Sequence, residues 1–82
     1  MKLFLISQTQ NTGDDTYDSA VMAAPDEETA RQMDPYTGEL IEVWGDSSAA
    51  WCSAPKHVAV RYIGEAAADI EQGVICASFN AG

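Results

Sequence analysis

A cysteine and the single histidine of the chain, Cys52 and His57, lie five positions apart. A thiolate nucleophile needs a base within hydrogen-bonding reach and a third group that orients this base. No flanking motif of a cysteine hydrolase accompanies the pair, although the intervening Pro55 would allow the two side chains to meet. We therefore interpret Cys52 as a small, partly buried residue and His57 as a surface residue that begins a strand. A cysteine-dependent enzyme is an alternative, but we expect the protein not to be an enzyme.

Patterns that bind metals or cofactors are weak in this sequence. Cys52, Cys76 and His57 offer three ligands of the kind that zinc prefers, whereas a closed structural site needs four and usually has a C-x-x-C pair. Three aspartates between positions 14 and 18 offer oxygen ligands for calcium, but they lack the spacing and the closing glutamate of an EF-hand loop. The six glycines are dispersed and form no phosphate-binding pattern. We expect no metal and no cofactor.

Acidic side chains are the most numerous groups that could take part in binding. The chain has 13 aspartates and glutamates against 4 lysines and arginines, a formal charge of −9. This charge repels nucleic acid and anionic membranes, so we expect no direct binding to either, and a basic protein surface as the partner. The alternative is that the acids only keep a small protein soluble. The candidate partner-binding acids form three groups along the sequence: Asp14, Asp15 and Asp18; Asp26, Glu27 and Glu28; and Glu39, Glu42 and Asp46.

Two tryptophans, Trp44 and Trp51, complete the set of candidate binding residues. A tryptophan can bury more surface than any other side chain, so the simplest interpretation places both in the small core or in a lid over the sheet. Recognition of a ligand or partner by these rings is the alternative, and we include both among the candidate partner-binding residues.

Hydrophobic periodicity predicts the elements that position these residues. Residues 2–9 are apolar on both faces at their start, which is typical of a central strand. Residues 17–24 have no strongly polar side chain between Ala20 and Ala24, so both faces of this second strand can be covered, and a polar loop joins the two. Pro25 ends the second strand and Asp26 is a natural N-cap. A helix of about two turns follows and closes at Asp34 and Pro35. Ala30 and Met33 form its apolar stripe, so we expect it to dock on the sheet.

The second half of the chain has a less regular pattern. Residues 40–44 are a plausible short strand, and residues 57–64 alternate as a half-exposed strand. Residues 65–72 favour one or two helical turns that end near Gly73, and residues 74–79 form the last strand.

The sequence predicts a single domain over residues 1–82 with an α+β fold. We expect a small, mostly antiparallel sheet of four to five strands with one short helix packed on one face, in the order ββα-β-ββ. The first two strands should pair antiparallel, and so should the last two, whereas the order of the strands across the sheet stays open. The N-terminal apolar run is too short for a secretory signal, and two cysteines without an export signal indicate free thiols in a reducing cytoplasm, with a disulfide as the alternative.

Five segments resemble a group of short, uncharacterised proteins of phages, prophages and bacterial genomes: KLFLISQ, YDSAVMAA, DEETAR, VRYIGEA and GVICASFNAG. The resemblance implies no catalytic or ligand-binding residues. It implies a phage accessory protein in the host bacterial cytoplasm, and small acidic proteins of this kind resemble inhibitors of host defence systems such as restriction enzymes and CRISPR complexes.

The leading hypothesis is therefore an acidic module that imitates nucleic acid and docks on a basic surface of a host defence protein. The alternative is a self-associating structural module, a homodimer in which an exposed strand edge pairs with a second copy. Lys2 and Arg61 are the only cations within the predicted strands, so an open edge is credible.

Overall fold

The structure, a computed structural model, describes residues 1–45 and 50–81. Within these residues the chain forms one four-stranded antiparallel sheet and one short α-helix, which confirms the predicted small α+β architecture. The elements are β1 (Lys2–Ser7), β2 (Thr16–Ala24), α1 (Glu27–Arg31), β3 (Ala59–Glu65) and β4 (Gly73–Asn80), with a 3-10 turn at Pro55–His57 before β3.

The two central strands are β1, which the sequence predicts to be central, and β2. They pair antiparallel, as predicted, in a regular register that runs from Lys2 opposite Ala24 to Ser7 opposite Ser19. Their middle residues are apolar on both faces, and a central position gives each strand two hydrogen-bonded neighbours.

The prediction that the last two strands pair with each other is wrong. The sheet order is β3-β1-β2-β4, so β3 and β4 occupy opposite edges. Val60 of β3 lies opposite Ile6, and Ala77 of β4 lies opposite Ala20. Strands β3 and β4 pair with the outer hydrogen-bonding edges of β1 and β2, the two most apolar strands. A separate β3–β4 hairpin would leave the main-chain N–H and C=O groups at these edges unpaired. The segment after β3 consequently passes from one edge to the other as a turn, with Ile70 donating to Ala67, and not as the predicted helix.

The helix begins where the sequence predicts. The Asp26 carboxylate accepts a hydrogen bond from the Thr29 amide at 2.8 Å, which makes it the N-cap. The helix ends at Arg31 and is capped by Gln32, earlier than the predicted stop at Asp34. It packs against β1, β2 and β3, and its Ala30 is fully buried in the core beneath it.

The core lies between one face of the sheet and the helix with its following loop. The buried cluster combines side chains of all these parts: Phe4, Ile6, Ala20, Met22, Ala24, Ala30, Met33, Trp51, Cys52 and Val58.

The predicted strand over residues 40–44 is reduced to a single bridge between Met33 and Leu40. Leu40 and Val43 are exposed, so this segment belongs to a loop. Among the described residues, no helix has the length and apolar character needed to span a membrane.

Candidate functional site

A cavity of about 580 Å³ opens at the end of the sheet where β2 begins and β4 ends. It is rich in aromatic side chains: both tryptophans of the chain, two of its three tyrosines and one of its two phenylalanines line it. The other lining residues include two aspartates and Cys52. We call it the aromatic cavity. Its lining residues are Asp15, Tyr17, Asp34, Pro35, Tyr36, Ile41, Val43, Trp44, Gly45, Ala50, Trp51, Cys52 and Phe79.

Strand pairing positions the rings on the sheet side of the cavity. Tyr17 lies opposite Phe79 in the β2–β4 ladder, and their ring centroids are 4.8 Å apart. The register shifts between Tyr17 and Ser19, which marks a β-bulge at Asp18. Strict alternation would place Tyr17 on the same side as Ser19, away from the core. The bulge lets its ring pack against the core and face the cavity.

A tight turn brings Tyr36 to the cavity mouth. The Asp34 carboxylate accepts hydrogen bonds from the Tyr36 amide at 2.7 Å and from the Thr37 amide at 3.4 Å. The Gly38 amide donates to the Asp34 carbonyl at 2.8 Å and closes the turn. The Tyr36 ring lies 6.5 Å from the Tyr17 ring between centroids and remains 78% exposed, so it is available to a partner.

The opposite wall is held by hydrogen bonds between distant parts of the chain. The Tyr17 amide donates to the Ala50 carbonyl at 2.9 Å, and the Asn11 side chain donates to the Trp51 carbonyl at 3.0 Å. Gln10 accepts from the Ser53 amide and donates to its hydroxyl, both at 2.9 Å. The wall that carries Trp51 is therefore fixed to the β1–β2 loop.

Gln8 organises that loop from inside the protein. Its side chain is only 3% exposed, and its amide nitrogen donates to the carbonyl oxygens of Asn11 and Tyr17. Its amide oxygen accepts from the Asn11 amide at 2.8 Å. A buried side-chain amide is stable only when it is hydrogen-bonded, and this one is. The sequence carried a signal for Gln8, because it follows Phe4 and Ile6 at strand spacing and so falls on the buried face.

The cavity is acidic as well as aromatic. Asp15 and Asp34 line it, and none of its described lining residues is a lysine, arginine or histidine. Asp15 lies in a left-handed conformation with φ 58°, and its amide donates to the Asn80 carbonyl. This contact joins the β1–β2 loop to the end of β4.

Trp51 carries a hydrogen-bond donor without a partner. The residue is buried, with only 5% of its surface exposed. Its indole N–H has no acceptor among the described residues. A buried donor without an acceptor is costly, so such a group calls for an explanation.

The geometry around Cys52 disfavours a thiolate. Its thiol donates to the Ala54 carbonyl at 3.5 Å, and burial raises the pKa of the thiol. His57 lies in the 3-10 turn that precedes β3. Among the described residues, no group of three or more histidine, cysteine, aspartate or glutamate side chains could hold a metal ion.

The candidate acids do not form one patch. Asp14 and Asp15 lie at the start of β2, whereas Asp26, Glu27 and Glu28 follow its other end, roughly 25 Å away along the strand.

The other candidate acids lie between or beside these two ends. Asp18, half-buried at the bulge, accepts from the Ser19 hydroxyl. Glu39 and Glu42 line a second depression beside the aromatic cavity, and Asp46 lies outside the described residues. Of the candidate residues, the structure brings Asp15, Trp44 and Trp51 together in the aromatic cavity, together with Tyr17, Asp34, Tyr36 and Phe79, which the sequence interpretation missed.

No protein-family model matches this chain, and the searches of curated proteins and of solved structures found no significant match.

Proposed function

We propose that the chain is a small acidic protein-binding module, and not an enzyme, that docks on a basic surface of a larger protein. The observation that carries this proposal is the aromatic cavity with two lining aspartates and no described basic residue among its lining. Tyrosine and tryptophan are enriched at the energetic centres of protein interfaces, because they bury a large area and keep a polar tip. The cavity is therefore the centre of the proposed contact.

Charge supports a basic partner. The formal charge of −9 steers the chain towards cationic surfaces, and this steering weakens with salt. Asp14, Asp15 and Asp34 provide negative charge at the cavity end of the sheet. At the other end Arg31 lies 3.6 Å from Glu27 and 3.8 Å from Glu28, so part of that acidic group is already neutralised within the chain. We place the contact at the cavity end for this reason.

The resemblance to phage proteins supports a partner class. A host defence protein that handles nucleic acid, such as a restriction or CRISPR component, presents the basic channel that this module would occupy in the host cytoplasm. Occupation of that channel would inhibit the host protein by competition with nucleic acid, with Asp14, Asp15 and Asp34 at the cavity end facing the basic residues that otherwise bind phosphates.

The test is capture of partners from a bacterial lysate on the immobilised chain, followed by identification and a nucleic-acid-binding assay of the captured protein. A triple variant, Asp14→Asn, Asp15→Asn and Asp34→Asn, removes charge at the cavity end. A second triple variant, Asp26→Asn, Glu27→Gln and Glu28→Gln, removes the same charge at the other end and is the matched control. We expect the chain to capture a basic nucleic-acid-handling protein that high salt releases. The first triple variant should fail to retain this protein, and the second should retain it. Equal retention by both triple variants contradicts the assignment of the contact to the cavity end.

A second function, self-association, is favoured by the β4 edge. Strand β4 contains no charged residue and no proline, and residues 75–80 are exposed. The other edge strand, β3, carries Arg61 and Glu65, which discourage pairing with a second copy. Sedimentation velocity over a concentration series distinguishes the two functions. Salt strengthens pairing between two acidic copies because it screens their repulsion, whereas it weakens binding to a basic partner.

A further inference from the structure

We infer that the aromatic cavity receives a single lysine side chain of the partner, with its ammonium group against the aromatic rings. This inference rests on the proposed function and names the group that the module recognises.

The rings provide the first part of the argument. The centroid of the Tyr17 ring lies 6.5 Å from that of Tyr36 and 4.8 Å from that of Phe79. The two tryptophans line the same cavity. The face of an aromatic ring attracts a cation, most strongly where water is excluded. A cavity with five such rings favours the apolar stem of a lysine together with its charged end.

The aspartates favour lysine over arginine. Asp34 contributes negative charge, but one of its carboxylate oxygens already accepts from the amides of Tyr36 and Thr37. A guanidinium group pairs most strongly with a carboxylate that can accept two parallel hydrogen bonds, whereas an ammonium group is a compact charge that gains nothing from this geometry. Asp15 adds a second negative charge to the lining.

The size of the cavity favours a lysine side chain with its apolar stem over a free ammonium ion. A volume of about 580 Å³ is within the usual range of ligand cavities and exceeds what an ammonium group alone would fill.

The experiment is a titration of the chain with Nα-acetyl-lysine N-methylamide. Binding is monitored through tryptophan fluorescence and through the indole N–H signals in NMR spectra. The norleucine analogue has the same peptide bonds and an uncharged side chain, the arginine analogue has a guanidinium group, and tetramethylammonium is a cation without an apolar stem. We expect the lysine analogue to bind about tenfold more tightly than the norleucine analogue. The indole signals of Trp44 and Trp51, which line the cavity, should shift more with the lysine analogue than with tetramethylammonium.

Two variant pairs test the site itself. Asp34→Asn removes the charge and keeps an oxygen that can accept from the Tyr36 amide, and Asp69→Asn removes one exposed charge in the turn after β3. Tyr36→Leu removes an exposed ring from the cavity, and Tyr62→Leu removes a half-exposed ring outside it. We expect the first member of each pair to weaken binding of the lysine analogue and the second to leave it unchanged.

Equal affinity for the lysine and norleucine analogues would overturn the inference, and tighter binding of the arginine analogue would overturn the preference for lysine. If a basic partner is captured through the cavity end while the lysine analogue does not bind, the proposed function holds and this inference fails. If the lysine analogue binds but no partner is captured, the cavity assignment holds and the proposed function fails.

Discussion

Asn11 donates its side-chain amide to the main-chain carbonyl oxygen of Trp51 at 3.0 Å. The two residues belong to separate loops, and this bond fixes the tryptophan wall of the aromatic cavity to the loop between β1 and β2. Asn11 is itself held by Gln8, which exchanges hydrogen bonds with the Asn11 main chain from a buried position. The shape of the cavity therefore depends on a polar side chain at the end of β1, outside the cavity.

Replacement of Gln8 by leucine should destabilise the protein. The change keeps a similar volume but leaves the Tyr17 carbonyl and the Asn11 main chain without their buried partner. We expect a loss of about 1–3 kcal/mol in the free energy of unfolding, measured by urea denaturation. Gln72→Leu, at an exposed position, should change the same free energy by less than about 0.5 kcal/mol. Equal effects of the two changes would show that Gln8 does not organise the loop.

The helix cap should make stability depend on pH in the acidic range. Hydrogen bonds from the Thr29 main chain and side chain lower the pKa of Asp26 below its ordinary value of 3.8. A lowered pKa in the folded state stabilises the protein above pH 3.8, and this stabilisation is lost as the pH falls through the folded-state pKa. The free energy of unfolding of Asp26→Asn, measured by urea denaturation across this pH range, should therefore fall less with acid than that of the parent chain.

The alanine variant separates the cap from the charge. Asparagine caps a helix about as well as aspartate, whereas alanine has no acceptor for the Thr29 amide. We expect Asp26→Ala to be less stable than Asp26→Asn at neutral pH. Equal stability of the two variants would mean that the hydrogen bond to Thr29 contributes nothing.

Substitution of Gly38 by alanine should also destabilise the protein. Gly38 has φ +76°, and a Cβ atom there would lie 3.1 Å from the Val74 amide nitrogen and 3.3 Å from the Gly73 Cα. The left-handed conformation alone costs an L residue about 1–2 kcal/mol, and the contact with the β4 main chain adds to it. Thermal unfolding measures the difference. Gly13→Ala is the matched control, because a Cβ atom at Gly13 meets nothing within 4 Å.

The two cysteines should react at different rates. Cys76 is exposed on β4, whereas Cys52 is buried and burial raises the pKa of its thiol. Because the thiolate is the reactive form, we expect a maleimide to label Cys76 more than about tenfold faster, measured by mass spectrometry of Cys52→Ala and Cys76→Ala. Faster labelling of Cys52 would instead favour the cysteine-dependent enzyme.

The local features of the fold were predictable from sequence because local chemistry determines them. Pro25 and Asp26 mark the end of β2 and the start of α1, and the apolar residues on both faces of β1 indicate its central position. The partners of β3 and β4 were not predictable in the same way. Their pairing depends on which free edge each strand covers, and residues 65–72 have helix propensity that this tertiary arrangement overrides.

The site was predictable in part. Trp44, Trp51 and Asp15 were candidates from residue type alone, and all three line the cavity. Tyr17 was not a candidate, because strict alternation places it on the face of Ser19. A bulge at Asp18 interrupts this alternation, and no residue of the bulge signals it. Phe79 reaches the cavity only because β4 pairs with β2, so its role could not be inferred before the strand order was known.

The strand order also bears on how fast the protein folds. Only the β1–β2 hairpin joins neighbouring parts of the sequence, whereas Lys2 pairs with Glu65 and Thr16 pairs with Asn80. Both outer strands must close long loops before their hydrogen bonds offset the lost chain entropy, which slows folding relative to a helical bundle of the same length. The hairpin can form first, but Phe79 completes the cavity only when the β2–β4 ladder has closed. The complete cavity is therefore a property of the fully folded chain.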